Sequence, residues 1–95
     1  KYIALASFTE QGIRNVKDTV KRADAVREAA RKFGCEMSQI YWTLGNYDLV
    51  TIIDAQDESS ATAFAMAIGS AGNIRTQTLR AFSREEMTAI LGKLG

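Results

Sequence analysis

Ninety-five residues with a formal net charge of +1 make one small domain, 1–95, whose balance argues against a general polyanion binder. One cysteine, Cys35, excludes an internal disulfide and a multi-thiolate metal site, and the absence of histidine removes the commonest general base and metal ligand. No apolar run is long enough to span a membrane and no signal peptide is read, so no membrane is expected as a partner; nucleic acid is set aside on the near-zero net charge.

Tyr2 to Phe8, Y-I-A-L-A-S-F, reads as a strand. Ile3 and Leu5 lie on one face and Tyr2, Ala4, Ala6 and Phe8 on the other. Neither face is polar, which places the strand in the centre of a sheet. Thr9 to Asp18 is a connection with room for a helical turn, weakened by Gly12. Asp18 or Thr19 then caps a helix from Val20 to Phe33, where Val20, Ala23, Val26, Ala30 and Phe33 recur at helical spacing. Gly34 ends it.

The hairpin comes next. Ile40 to Leu44 and Tyr47 to Ile53 are rich in β-branched and aromatic residues, and Gly45-Asn46 between them suits a two-residue turn. Leu44 and Tyr47 then flank the turn. Leu49 and Ile53 face one way and Val50 and Ile52 the other, so this strand too is central. Asp57 caps a second helix, Glu58 to Ala71, whose face is Ala61, Phe64 or Ala65, and Ile68. Ile74 to Phe82 mixes polar and apolar residues on both sides, as edge strands do. Ser83 and Glu86 form a capping box before a short terminal helix striped with Met87, Ile90, Leu91 and Leu94.

Strand, helix, strand, strand, helix, strand, helix is an α+β order. It is the ferredoxin-like βαββαβ antiparallel sheet with an added C-terminal helix. Right-handed crossovers put the first and third strands in the middle, the two read as apolar on both faces. Two helices cover one face of such a sheet. Leaving the other face open is costly, since each large apolar side chain is worth about 1.5–3 kcal/mol when buried. A homodimer or higher oligomer joined face to face is therefore expected. The alternative is a terminal helix folded back as a lid.

This topology brings the end of the first strand, the hairpin turn and the start of the last strand to one edge. Thr9–Asn15, Gly45–Asp48 and Gly72–Thr76 meet there with adaptable backbone and polar groups. The ligand-binding candidates are Arg14, Trp42, Tyr47, Asp48, Arg75 and Thr76; Tyr47 and Asp48 are the weak catalytic candidates. Arg75 suits bidentate recognition of an anion. Each has a plainer reading: Asp48 as a carboxylate partner of Arg75 or Arg14, Trp42 as core or interface, Tyr47 as packing beside a turn. Cys35 follows a helix C-terminus, which disfavours its thiolate. No acidic spacing suggests a metal, no cofactor is expected, and neither Gly-Asn pair is a phosphate loop. An RNA-recognition surface needs aromatic side chains on the central strands, and L-V-T-I-I has none.

Trp42–Asp48, W-T-L-G-N-Y-D, followed by Gly72–Phe82, G-N-I-R-T-Q-T-L-R-A-F, resembles the GYD domain family, named for its Gly-x-Tyr-Asp signature. The opening Y-I-A-L-A-S-F-T-E-Q-G-I-R-N fits as well. Val20 departs from it, standing where relatives often carry a proline that pre-sets the first helical turn. The resemblance implies a prokaryotic, ferredoxin-like domain of the dimeric α/β-barrel type, of largely unassigned function; a cytoplasmic location is expected. The signature maps onto Gly45, Tyr47 and Asp48, and a second stretch onto Gly72, Arg75 and Thr76, with no catalytic role to carry over. Three readings follow. The first is an oligomeric module binding a small, anionic or aromatic molecule. The second is a cofactor-independent monooxygenase or isomerase using Tyr47 and Asp48. The third is a structural assembly protein.

Overall fold

The computed structural model describes residues 1–95. Its elements are β1 (Tyr2–Phe8), α1 (Glu10–Arg14), a 3-10 turn (Val16–Asp18), α2 (Thr19–Lys32), β2 (Cys35–Trp42), β3 (Leu49–Ala55), α3 (Glu58–Ser70), β4 (Ile74–Arg80) and α4 (Arg84–Gly92). One antiparallel sheet has the order β2-β3-β1-β4. The expected ferredoxin-like fold is therefore the observed one, with β1 and β3 central.

The register assigns each side chain to a face. Ala4 stands between Thr51 and Thr78, and Ala6 between Leu49 and Thr76. These residues, with Tyr2 and Ile53, lie under the helices. Ile3, Leu5, Val50, Ile52, Gln77 and Leu79 alternate with them and make the open face. In β2 the pairing shifts by one between Met37 and Gln39. This bulge brings Ile40 and Trp42 to the same side as Cys35 and Met37, and leaves Tyr41 on the open face.

The hairpin keeps the expected register, because Trp42 opposite Leu49 is the pairing that places Leu44 opposite Tyr47. Its turn is wider than two residues. Regular pairing stops at Trp42 and Leu49, and the loop is held by Thr43 N–H to the Asp48 carbonyl (2.8 Å) and Thr43 Oγ1 to the Tyr47 carbonyl (2.6 Å). Leu44 at the tip is fully exposed. β2 also starts earlier than composition suggests, at Cys35.

The core is thin. Its largest fully buried side chain is Phe64, 1% exposed, which meets Phe33 with ring centroids 6.0 Å apart. Tyr2, Ala4, Ala30, Cys35, Met37, Ile53 and Ala61 complete the cluster. Only 12 of 95 residues are buried, so this chain gains less from its own interior than a larger domain would. The α2 stripe is shorter than its periodicity implies: Ala23, Val26, Ala30 and Phe33 turn inward, whereas Val20 is exposed. Cys35 is buried, and burial, with Asp57 adding to it, pushes its thiol pKa up.

Two helix caps match the sequence reading. Asp57 Oδ1 accepts from Ser60 N–H at 2.7 Å, which holds its carboxyl below the usual range. Ser83 and Glu86 bond each other's backbone N–H groups, and the Ser83 N–H, assisted by Arg80, lowers the Glu86 pKa. The helix that they start is the departure. It neither folds back as a lid nor packs on its own sheet, and Met87, Leu91 and Leu94 remain exposed. Arg80 sets its exit, with the guanidinium 4.6 Å from the Phe82 ring centre and 3.5 Å from Glu86 Oε2. The radius of gyration, 14.6 Å, exceeds the 12–13 Å or so typical of a compact chain this long. No helix is long and apolar enough to cross a membrane.

Candidate functional site

The three polar segments do meet at one edge of the sheet, where backbone and side-chain hydrogen bonds tie them together around the end of β1. Thr9 N–H donates to the Asn73 carbonyl at 3.0 Å and Thr9 Oγ1 to the Gly72 carbonyl at 2.5 Å. Gln11 Nε2 reaches Asn73 Oδ1 at 3.0 Å. Gly12 lies so close to Asn73 that a Cβ there would stand 1.9 Å from the Asn73 carbonyl oxygen. Gly72 adopts φ +87°, a conformation suited to glycine.

Asp48 is the joint between the hairpin and β1. Its carboxylate accepts from Phe8 N–H at 2.8 Å, and its own N–H donates to the Ala6 carbonyl at 2.8 Å. It pairs with neither Arg75 nor Arg14: Arg14 pairs with Glu10, and the Asp48 carboxylate turns to the strand-end amide. Asp48→Ala strands that amide and is expected to cost about 1–3 kcal/mol. Asp48→Asn keeps an acceptor and costs less. Thermal melts of the two variants check the difference, and equal melting points would refute the role of the acceptor.

The other candidates divide between the faces. Tyr47 Oη donates to Gln77 Oε1 at 3.1 Å toward the open face. Arg75, opposite Ser7, is on that face too, exposed and without an ion pair. Arg14 turns outward and pairs with Glu10 at 2.8 Å, both side chains well exposed. Trp42 stands at the rim under α2, its Nε1 donating to Thr19 Oγ1 at 3.0 Å. Thr76 faces the helix side.

Thr76 leads to a feature that the edge residues did not announce. α2 packs chiefly on β2 and α3 on β4, so neither helix packs closely on β1 between them. β1 carries only Ala4 and Ala6 at that place. The result is an apolar cavity of about 110 Å³ between sheet and helices. Tyr2, Val26, Phe64 and Ile68 wall it, and Thr51, Thr76 and Thr78 bring hydroxyls to its floor. Arg22 is the one charged residue on its wall, and its guanidinium is engaged with the carbonyls of Asn15 (2.6 Å) and Gly12 (3.3 Å). The sequence signal was the pair of alanines in a central strand, where bulky residues are usual. A groove between α3 and β4 adjoins the cavity through Tyr2, Ala61, Ala65, Thr76 and Thr78.

The chain is 29% identical over 91 residues to the glutamine synthetase and cystathionine beta-lyase binding protein of Thermus thermophilus, covering 95% of this chain and 96% of that one. No solved structure is significantly similar to it. The profile of the GYD domain matches residues 2–91, and the chain belongs to the GYD domain family.

Proposed function

We propose that this chain is a cytoplasmic, oligomeric binding module that docks onto other proteins, metabolic enzymes among them, and responds to a small molecule. The observation that carries the reading is the distribution of apolar surface. Ile3, Leu5, Val50, Ile52 and Leu79 form a patch that the chain's own helices do not cover, and α4 offers a second exposed stripe in Met87, Leu91 and Leu94. Surfaces of this kind mark association sites in folded proteins. Pairing two open faces buries the first. The relative, similar along nearly its whole length, is named for binding two enzymes, and that supports enzyme docking here. A catalytic reading needs Tyr47 or Asp48 free for proton transfer, and each is tied into a hydrogen bond that holds the hairpin to the sheet.

Sedimentation is expected to give a dimer or larger species. Ile52→Lys, which places a charge in the middle of the open face, is expected to give monomers with an unchanged far-UV spectrum. A wild-type monomer at about 50 μM, far above the dissociation constant of an interface of standard size, overturns the pairing. Docking is checked with glutamine synthetase and cystathionine β-lyase purified from the same host. Co-elution with at least one is expected, and separate elution from both removes enzyme docking.

A further inference from the structure

We infer that the cavity over Ala4 and Ala6 is a binding site for a compact, uncharged, ring-sized molecule with one hydroxyl or carbonyl group. The inference rests on the binding-module reading and gives the small molecule a place and a chemical class. Size comes first. A cavity of about 110 Å³ is of the order of the ~150 Å³ apolar cavity that takes up benzene in another protein. It suits a body of roughly six to eight heavy atoms.

Polarity comes next. The walls are hydrocarbon, from Ala4, Ala6, Val26, Phe64 and Ile68. The polar groups converge on the floor, where Thr51 and Thr78 flank Ala4 across three strands and Thr76 lies beside Ala6. Their hydroxyls enter none of the side-chain hydrogen bonds within the chain, and no buried polar side-chain atom is left without a partner. They remain open to a guest, able to donate to a carbonyl or accept from a hydroxyl. Charge decides the class. The Arg22 guanidinium keeps its charge but is held by two backbone carbonyls, so a carboxylate seated among the threonines would have to draw it off both, and an ammonium would meet a like charge in apolar surroundings; both are unfavourable. An uncharged guest meets no such penalty.

Benzyl alcohol and toluene test the inference, being alike in their ring and differing in one hydroxyl. Trp42 supplies the signal: it is the chain's single tryptophan, and its indole N–H is bonded to Thr19 on the cavity wall. Both probes are expected to bind saturably, benzyl alcohol about 3- to 10-fold more tightly, the gain from one hydrogen bond. The triple variant Thr51→Val/Thr76→Val/Thr78→Val is expected to abolish that gap. Ala4→Leu fills the space and is expected to weaken both probes at least ~10-fold. Ala65→Leu, approaching from α3, repeats the test should Ala4→Leu fail to fold.

Absence of saturable binding overturns the site, as does unchanged affinity in the filled variants. Equal affinity for the two probes in the wild type overturns the polar end of the ligand. If Ala4→Leu splits the oligomer, the cavity holds a segment of a second copy and the small-molecule inference falls. Failure of the titration with dimerisation and enzyme docking intact removes this site and leaves the binding-module reading standing.

Discussion

Gly12→Ala is expected to lower the melting temperature by about 10–20 °C. The reason is proximity, because Gly12 does not adopt a positive φ. Its Cα faces the Asn73 backbone, and a Cβ would sit 1.9 Å from the carbonyl oxygen and 2.9 Å from the carbonyl carbon. Neither atom is the end of a flexible side chain. The Asn73 carbonyl already accepts from Thr9 N–H, and the Gly12 carbonyl accepts from Arg22. A methyl group would have to push α1 away from the start of β4 and break that set together. Overpacking against fixed backbone costs about 1–3 kcal/mol, and the lost hydrogen bonds add to it. Differential scanning calorimetry at one protein concentration checks the value, since subunit association makes the melting point concentration-dependent. A fall of less than ~3 °C would mean that the contact between α1 and β4 is looser than the geometry indicates.

Phe64→Ala is expected to be more damaging still. Phe64 is the largest fully buried side chain of a thin core, set on α3 against Phe33 and the Met37–Ile53 pair. Truncation of such a residue costs about 3–5 kcal/mol, from lost transfer energy and from the void left behind. The void here would adjoin a cavity already present, and the core has few other large residues with which to collapse it. A domain of this length has about 5–15 kcal/mol of stability in all. The variant is expected to lose a third or more of its urea midpoint, and Phe64→Leu much less. A Phe64→Ala midpoint close to wild type would show that association, and not this core, supplies the stability.

Much of the architecture was legible in the residues. β1 has the bounds that its composition implies. The two strands apolar on both faces are the central ones. The Ser83–Glu86 capping box is present, and the hairpin register is centred on Gly45-Asn46. The parts that were not legible depend on non-local contacts. The turn opens because Asp48 is drawn toward β1, through bonds to Phe8 and Ala6, and local turn chemistry carries no trace of those. The early half of β2 was hidden because an extra residue breaks its alternation.

The candidate site shows the same limit. Convergence of the three segments followed from topology alone. The face on which each side chain lies does not, since Arg75 and Thr76 are neighbours in sequence and point to opposite sides of β4. The cavity depends on the separation of α2 and α3, which no local pattern encodes. Ala4 and Ala6 were visible as small residues in a central strand, and their meaning needed the helices to be in place.

The extra residue in β2 has an evolutionary side. Ser38 is exposed, and the ladder accommodates it by stepping the register once, from Met37–Ile53 to Gln39–Ile52. Ser38 is in that sense a spare codon. A lineage that lost it would close the ladder into a regular strand with Met37, Ile40 and Trp42 all still turned toward α2. Loss of Tyr41 instead would carry Ile40 to the outer surface, because strand faces alternate with every residue counted from the turn. A deletion in this hairpin is thus expected to keep the inner face at one position and to exchange inner for outer side chains a few residues away, with no substitution at all.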